Sequence, residues 1–416
     1  MLATALLPLA LAAVADVDPW IDKHLSELLA TYKEFHLAPE ISFHEENTAA
    51  KFAKALQAAG CEVTTGIGGH GVVAMLRNGD GPTVMLRTDL DALPLDEHTR
   101  LPYASKNKGV MHACGHDVHI TNMIGVARCL AAHKNDWHGT VMIIGQPAEE
   151  RVAGAKAMLD DGLFTKFKKP DFALALHVSS DMAAGKVGWR AGYAMANVDS
   201  VDITMKGSGG HGSAPHTTID PIMQAAQLVV DLQTIVSREV KPLEPAVVTV
   251  GSIHGGTKHN IISDRCHLQL TMRSYAPAVR KQLKVAVERK ARAVAKGARA
   301  PTPVVKFSEG CPSLYNDDKL VARVVPILER VLGKKNVTEV EPTMGAEDFA
   351  HFGLAGVPIF MYRLGSIAPK RLSKFTALGI SPPSLHSPIY WPDPQATLRT
   401  GIRTMVAAVF ELLKQP

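Results

Sequence analysis

The stretch Met111-His112-Ala113-Cys114-Gly115-His116-Asp117-Val118-His119 packs three histidines, a cysteine and an aspartate into nine residues. A thiolate and a neutral imidazole are standard ligands for a borderline transition metal. A Cys and a His two apart can reach one cation where the backbone is not yet helical. The segment reads as a loop running into a helix, so Cys114 and His116 are candidate ligands. Asp117 is predicted to orient a ligand from behind. A second element, Gln146-Pro147-Ala148-Glu149-Glu150, directly follows an apolar strand. Adjacent acids are commonly a solvated pair. These stand at the carboxyl end of a buried strand, where α/β folds place their sites. Two such carboxylates can divide labour, one ligating a cation and the other acting as a general base on water.

His177 ends the apolar run FALALHV and needs a partner there, either a metal or a core hydrogen bond. His386 lies in a late loop, Leu385-His386-Ser387-Pro388. Cys114, His116, Glu150, His177 and His386 together supply ligands for two metals if Cys114 bridges. The segment Arg87–Pro94 ends a buried strand in two acids, either as strand-end capping or with Asp89 behind a metal ligand. Two other readings of the cluster stay open: a cysteine hydrolase using Cys114 beside a histidine, and a pocket that only binds. The glycine-rich turn Gly207–Ser213 lacks a following Lys-Ser/Thr pair, so it does not fit a nucleotide-phosphate loop. It fits a flexible turn that brings His211 close to a substrate.

Alternating strands and amphipathic helices must hold these residues. Helices are predicted from Trp20, over Glu45–Ala59, near Asp117–Ala132 and near Gly154–Asp160. Strands are predicted at Gly71–Leu76, Thr83–Ala92, Thr140–Gly145 and Phe172–Val178. That alternation indicates an α/β layer fold with a largely buried sheet. After Gly192 the order becomes β-α-β-β-α-β: Asp199–Lys206, Asp220–Ser237, Ala246–His254, Asp264–Ser274, Pro277–Lys296 and Pro303–Phe307. This is a ferredoxin-like unit, long enough to be its own domain. The alternation resumes with a helix at Asp317–Leu332, a strand at Val357–Tyr362 and a helix at Gln395–Leu413. The predicted architecture is an α/β sandwich domain, residues 16–192 and 309–416, interrupted by an inserted α+β domain, residues 193–308.

The 416 residues are 46% hydrophobic and 20% charged, with 33 Gly and 26 Pro, which excludes collagen-like, disordered and coiled-coil chains. A net charge of +5 without a Lys/Arg block leaves no nucleic-acid footprint. Five cysteines are too few and too scattered for a disulfide framework. The opening MLATALLPLALAAVA is too short to span a bilayer. It fits a signal peptide over residues 1–15 with Ala13-Val14-Ala15 as the cleavage site, although no Lys or Arg precedes it. The expectation is a periplasmic or secreted protein, with a cytoplasmic one as the alternative, and no membrane partner.

The segments RTDLDALP, MHACGHDVH, PAEE, the His177 strand end, GSGGHGSAPH, KHNIISD, GAEDFA and LHSP occur in this order between Trp20 and Leu413. In them the chain resembles the co-catalytic metallopeptidases that include aminoacylases and glutamate carboxypeptidases. It is most similar to the hippurate hydrolase and indole-3-acetyl-amino-acid amidohydrolase branch. The resemblance implies two divalent ions (Mn, Zn, Co or Ni) on Cys114, His116, Glu150, His177 and His386, with Cys114 where related branches use a bridging aspartate. It implies Glu149 as general base, Asp89 as the acid beside the metals, and His211 as a substrate contact, often made in a partner subunit's site. Asn260 and Arg273 stand where relatives hold the substrate carboxylate. The implied substrate is an N-acyl or aryl-acyl amino acid, with short peptides as the alternative, and the implied lid domain also joins subunits into a homodimer or larger homo-oligomer.

Overall fold

The structure is a computed structural model that describes residues 7–414, with side chains from Val17 onward apart from Glu309. The apolar segment 1–15 therefore lies outside the residues whose side chains are described. The chain forms two compact units. One comprises the chain up to Gly192, Tyr315–Glu341 and the chain from Asp348 onward; the other comprises Tyr193–Leu314 and Pro342–Glu347.

In chain order the elements are α1 (Leu7–Leu37), α2 (Glu46–Ala58), β1 (Glu62–Ile67), β2 (Gly71–Asn78), β3 (Thr83–Asp89), α3 (His116–Ala132), β4 (Gly139–Gln146), β5 (Phe172–Ala183) and β6 (Val187–Trp189). The second unit adds β7 (Asn197–Lys206), α4 (Pro221–Thr234), β8 (Ala246–Gly255), β9 (Arg265–Ser274), α5 (Pro277–Gly297) and β10 (Val304–Cys311). The first unit resumes with α6 (Asp318–Leu332), β11 (Val337–Glu339), β12 (Ile359–Ile367), α7 (Pro369–Ala377) and α8 (Pro394–Leu412).

The first unit is built on an eight-stranded sheet of order β1-β2-β4-β3-β5-β12-β6-β11. Its centre, β4-β3-β5-β12, is parallel. Every residue of β3 is buried, the pattern of a strand covered on both faces. Helices α1, α3, α6 and α8 supply Leu28, Ile124, Leu328 and Val406 to one core with Leu86, Ile143 and Phe360 of the sheet. A parallel centre puts the carboxyl ends of β3, β4 and β5 on one edge. Asp89 there stands opposite Gln146, and Arg87 opposite Ala175, two residues ahead of His177.

The second unit is a four-stranded sheet of order β8-β9-β7-β10, antiparallel throughout. Leu228 and Leu232 of α4 and Leu283 and Val287 of α5 pack with Val201, Ile203, Leu268 and Leu270 of the strands. Helix α4 begins with Asp220 as N-cap, accepting the N–H of Ile222 at 2.8 Å, and Pro221 follows it. The strand and helix order is the ferredoxin-like one, so the fold is α/β with an α+β insertion.

Strands β1, β6 and β11 and helix α7 fall outside the sequence pattern. Strand β1 is an edge strand with most of its residues exposed, so it lacks the apolar run that marks β2 and β3. Helix α7 has no buried residue. Among the described residues no helix is long and apolar enough to cross a membrane.

Candidate metal centre

Loops at the carboxyl edge of the parallel strands converge on Cys114. Its Sγ lies 3.5 Å from His177 Nε2 and 3.3 Å from His386 Nε2. His386 Nε2 is also 3.4 Å from Glu150 Oε2. Cys114, His116 and His177 bring one donor atom each within 4.8 Å of one another, and so do Cys114, Glu150 and His386. Cys114 belongs to both groups.

Tautomers separate ligand from support. His116 Nδ1 donates to the Asp91 carbonyl at 2.8 Å, and His177 Nδ1 donates to the Val178 carbonyl at 2.8 Å. Each ring thus turns an Nε2 lone pair toward the cluster, and main-chain carbonyls fix the orientation. His119 is arranged the other way. Its Nδ1 donates to Asp89 Oδ1 at 2.7 Å, while its Nε2 accepts the Val178 N–H at 2.9 Å. Both its nitrogens are engaged, so it supports the cluster without facing it.

Asp89 stands beside the cluster, with Oδ2 3.8 Å from His116 Nε2 and 2.7 Å from Arg87 Nη1. Burial opposes its ionisation, yet His116, His119 and Arg87 hold its carboxyl well below the usual carboxylate range. Glu149 and Glu150 flank His116 Nε2 at 3.9 and 3.8 Å. Burial pushes Glu150 up to about 7, against the pull of His116. Burial also pushes the Cys114 thiol up, and Glu150 pushes it the same way, the opposite of what a nucleophilic cysteine requires.

The donor set fits divalent cations. His116 Nε2 and Glu150 Oε1 are buried and have no hydrogen-bond partner. Asp89, Asp91, Glu149 and Glu150 crowd this small volume, a density of buried negative charge that calls for a cation. The backbone is shaped for the same end. Gly115 has φ +79°, and a Cβ there would lie 2.5 Å from Val178 Cγ2, so only glycine lets the Cys114 loop lie against β5. Ala148 and His386 adopt φ 49° and 66°, strained values that persist where function requires them.

Asp117 does not orient a metal ligand. It lies one position into α3, on a face turned from the cluster, where Oδ2 accepts from His36 Nδ1 at 2.6 Å and Oδ1 from the Val118 N–H at 2.9 Å. The groups that orient His116 and His177 are main-chain carbonyls, which residue type does not reveal.

In the second unit, His211 and Asn260 are neighbours. His211 pairs with Ile261 across a short ribbon, and the Gly212 N–H donates to the Asn260 carbonyl at 2.8 Å. His211 Nδ1 accepts the Ser213 N–H at 3.1 Å, which leaves its proton on Nε2, facing outward as a donor. Arg273 lies on β9 and donates from Nη1 to the Met344 carbonyl at 2.7 Å.

Sequence reasoning passed over Glu45 and left Arg87 and Asp91 without roles. Glu45 is fully buried, accepts the Ala148 N–H at 2.7 Å, and is pushed up by burial to about 7. Asp91 Oδ2 accepts the Glu150 N–H at 3.0 Å. An Arg two residues before an Asp on an otherwise apolar strand was the available signal for the Arg87–Asp89 pair.

Known proteins carry the same framework. The profile of Peptidase family M20/M25/M40 matches residues 85–375. Thermostable carboxypeptidase 1 of Saccharolobus solfataricus is 37% identical over 374 residues, 87% of this chain and 91% of that protein. Hippurate hydrolase of Campylobacter jejuni is 39% identical over 324 residues, 77% of this chain and 83% of its own length. Among solved structures, the YXEP protein of Bacillus subtilis, described as a dinuclear metal binding peptidase from the M20 family, superposes with a TM-score of 0.77 at 28% identity, covering 94% of this chain and 99% of that one. The chain belongs to peptidase family M20/M25/M40 and is a metal-dependent hydrolase of the amidohydrolase and peptidase kind.

Proposed function

We propose that this protein hydrolyses the amide bond of N-acyl or aryl-acyl amino acids, with two divalent ions held by Cys114, His116, Glu150, His177 and His386. The carrying observation is that His116 and His177 each spend Nδ1–H on a main-chain carbonyl and turn Nε2 toward Cys114, the donor shared by both groups. The likeness to a dinuclear M20 peptidase supports the count of two. When bound, the ions polarise the amide carbonyl and lower the pKa of water.

The chain's own groups do the rest. Glu149, buried beside His116, takes the proton from the attacking water and returns it to the leaving amine. Asp89 and His119 hold the β5 backbone at Val178, next to His177, in place. His211 offers Nε2–H to the developing oxyanion, and Asn260 and Arg273 hold the substrate carboxylate. Assembly as a homodimer belongs to the same reading. It is supported by Met223 and Val230, two turns apart on α4 and 64% and 70% exposed.

The test is a panel of N-acetyl, N-benzoyl and N-indoleacetyl amino acids with dipeptides alongside, assayed after chelation and after adding back Mn²⁺, Zn²⁺, Co²⁺ or Ni²⁺. Hydrolysis of the acyl amino acids, abolished by chelation and restored by an ion, is the expected result. Turnover of peptides alone would favour a metallo-exopeptidase, the reading that the carboxypeptidase relative supports. Inactivity across the panel would leave a binding protein.

A further inference from the structure

The loop 147–154 carries both Glu149 and Glu150, and its backbone is strained at Ala148 (φ 49°) and Val152 (φ 46°). Strain of that kind persists only where the surroundings over-determine it. The surroundings here are Arg87 and Asp348. Asp348 is fully buried and holds both feet of the loop: Oδ1 accepts from Gln146 Nε2 at 2.7 Å, and Oδ2 accepts the Ala155 N–H at 2.9 Å. Between those feet the chain closes so tightly that a Cβ on Gly154 would lie 1.5 Å from the Pro147 carbonyl oxygen.

Arg87, 1% exposed, binds the same foot. Its Nε donates to Gln146 Oε1 at 3.0 Å, its Nη2 to Asp348 Oδ1 at 3.1 Å, and its Nη1 to Asp89 Oδ2 at 2.7 Å. One guanidinium thus joins three separate stretches of chain beneath the loop. A planar fork with fixed donor directions suits that task, and a lysine would not reproduce it.

We propose that Arg87 and Asp348 are positioning residues that set where Glu150 stands against Cys114, and so govern the metal site formed by Cys114, Glu150 and His386. The Asp348 and Gln146 part of this grip makes no bond to the other site's ligands, whereas Arg87 also reaches that site through Asp89 and His119. The variants that separate the two sites are therefore at Asp348 and Gln146. Cys114, His116 and His177 lie on the α3 loop and β5, and the two ring nitrogens Nδ1 are fixed by the Asp91 and Val178 carbonyls. Loosening the loop therefore weakens one ion and spares the other. The inference rests on the two-ion reading above.

The experiment titrates the full-length apo-protein with Co²⁺, following thiolate absorption and heat, in wild type, Asp348→Asn and Gln146→Met. Loss of a group that supports a ligand costs about 10- to 100-fold in metal affinity. Both variants are expected to bind the first ion within about twofold of wild type and the second about 10- to 100-fold more weakly. At saturating metal, kcat falls while KM stays close to wild type. An unchanged second affinity in a folded variant overturns the proposal, as does an equal loss at both sites, which would mark a general structural role. Gln146→Met is neutral and close in volume, so it carries the test if Asp348→Asn does not fold. A wild type that binds no ion overturns the two-ion reading instead, and the proposal with it.

Discussion

His119 Nε2 accepts the peptide N–H of Val178 at 2.9 Å, and the same ring donates from Nδ1 to Asp89 at 2.7 Å. A nitrogen that accepts an N–H cannot also offer its lone pair to a cation. His119 is therefore a brace for the peptide that follows His177, although it lies among the ligands in sequence and its ring centroid is 4.8 Å from that of His177. His119→Ala is expected to retain two ions at saturation with affinity lowered about 10- to 100-fold, whereas His116→Ala loses an ion outright. Metal content after dialysis, measured by elemental analysis, separates the two outcomes. Equal stoichiometry in both variants would contradict the assignment.

Glu149 has a different signature. It is buried next to His116 but is not needed for either group centred on Cys114. Glu149→Gln keeps the shape and removes the base. Turnover is expected to fall by about 10²–10⁴, the usual contribution of a positioned base, with metal content unchanged. A variant retaining kcat near wild type would remove Glu149 from the mechanism.

A third prediction concerns pH. His36 is buried between Asp117 at 2.6 Å and Glu97 at 3.1 Å, tying α1 to the start of α3. Burial favours the neutral ring, but the two carboxylates outweigh it and hold His36 at about 9, against 6.5 for an ordinary histidine. A raised folded-state value contributes stability that is fully present below about pH 6.5 and is lost as pH rises through 9. The amount is on the order of 3 kcal/mol. Thermal unfolding from pH 6 to pH 10 should therefore show a falling Tm in wild type and a flatter profile, lower at pH 6, in His36→Gln. Parallel profiles would mean that the bridge is not charged.

These three cases mark what residue type and spacing reveal. Cys114, His116, Glu150 and His177 stood out as candidates because each breaks its local pattern, as an ionisable group ending an apolar strand or several in a few residues, whereas His386, alone in a loop, was marked only by the resemblance. The α/β core and the inserted ferredoxin-like unit were legible from the change in periodicity after Gly192. Three things were not. The carbonyls that fix His116 and His177 have no side-chain signal. Asp117 was expected to orient a ligand, but helix geometry turns it to His36. Glu45 reads as an ordinary helix-start acid, and only the tertiary fold brings it 2.7 Å from the Ala148 N–H.

The shared donor provides the last prediction. Cys114 Sγ is the atom common to both groups, so its chemistry should set metal preference more than any other residue. Thiolate is soft and favours Zn²⁺ or Co²⁺, whereas a carboxylate is hard and shifts preference toward Mn²⁺. Cys114→Asp introduces the bridging group that the related aspartate branches imply, at a position whose Sγ lies 3.5 Å from His177 Nε2 and 3.3 Å from His386 Nε2. It is expected to bind two ions still, with the order of activation moved from Co²⁺ and Zn²⁺ toward Mn²⁺. Cys114→Ala removes the bridge without replacement and should bind at most one ion. Competition titrations on wild type and both variants give the order directly. If Cys114→Ala bound two ions as wild type does, the thiol would not be shared, and the two groups would have to be held by separate donors.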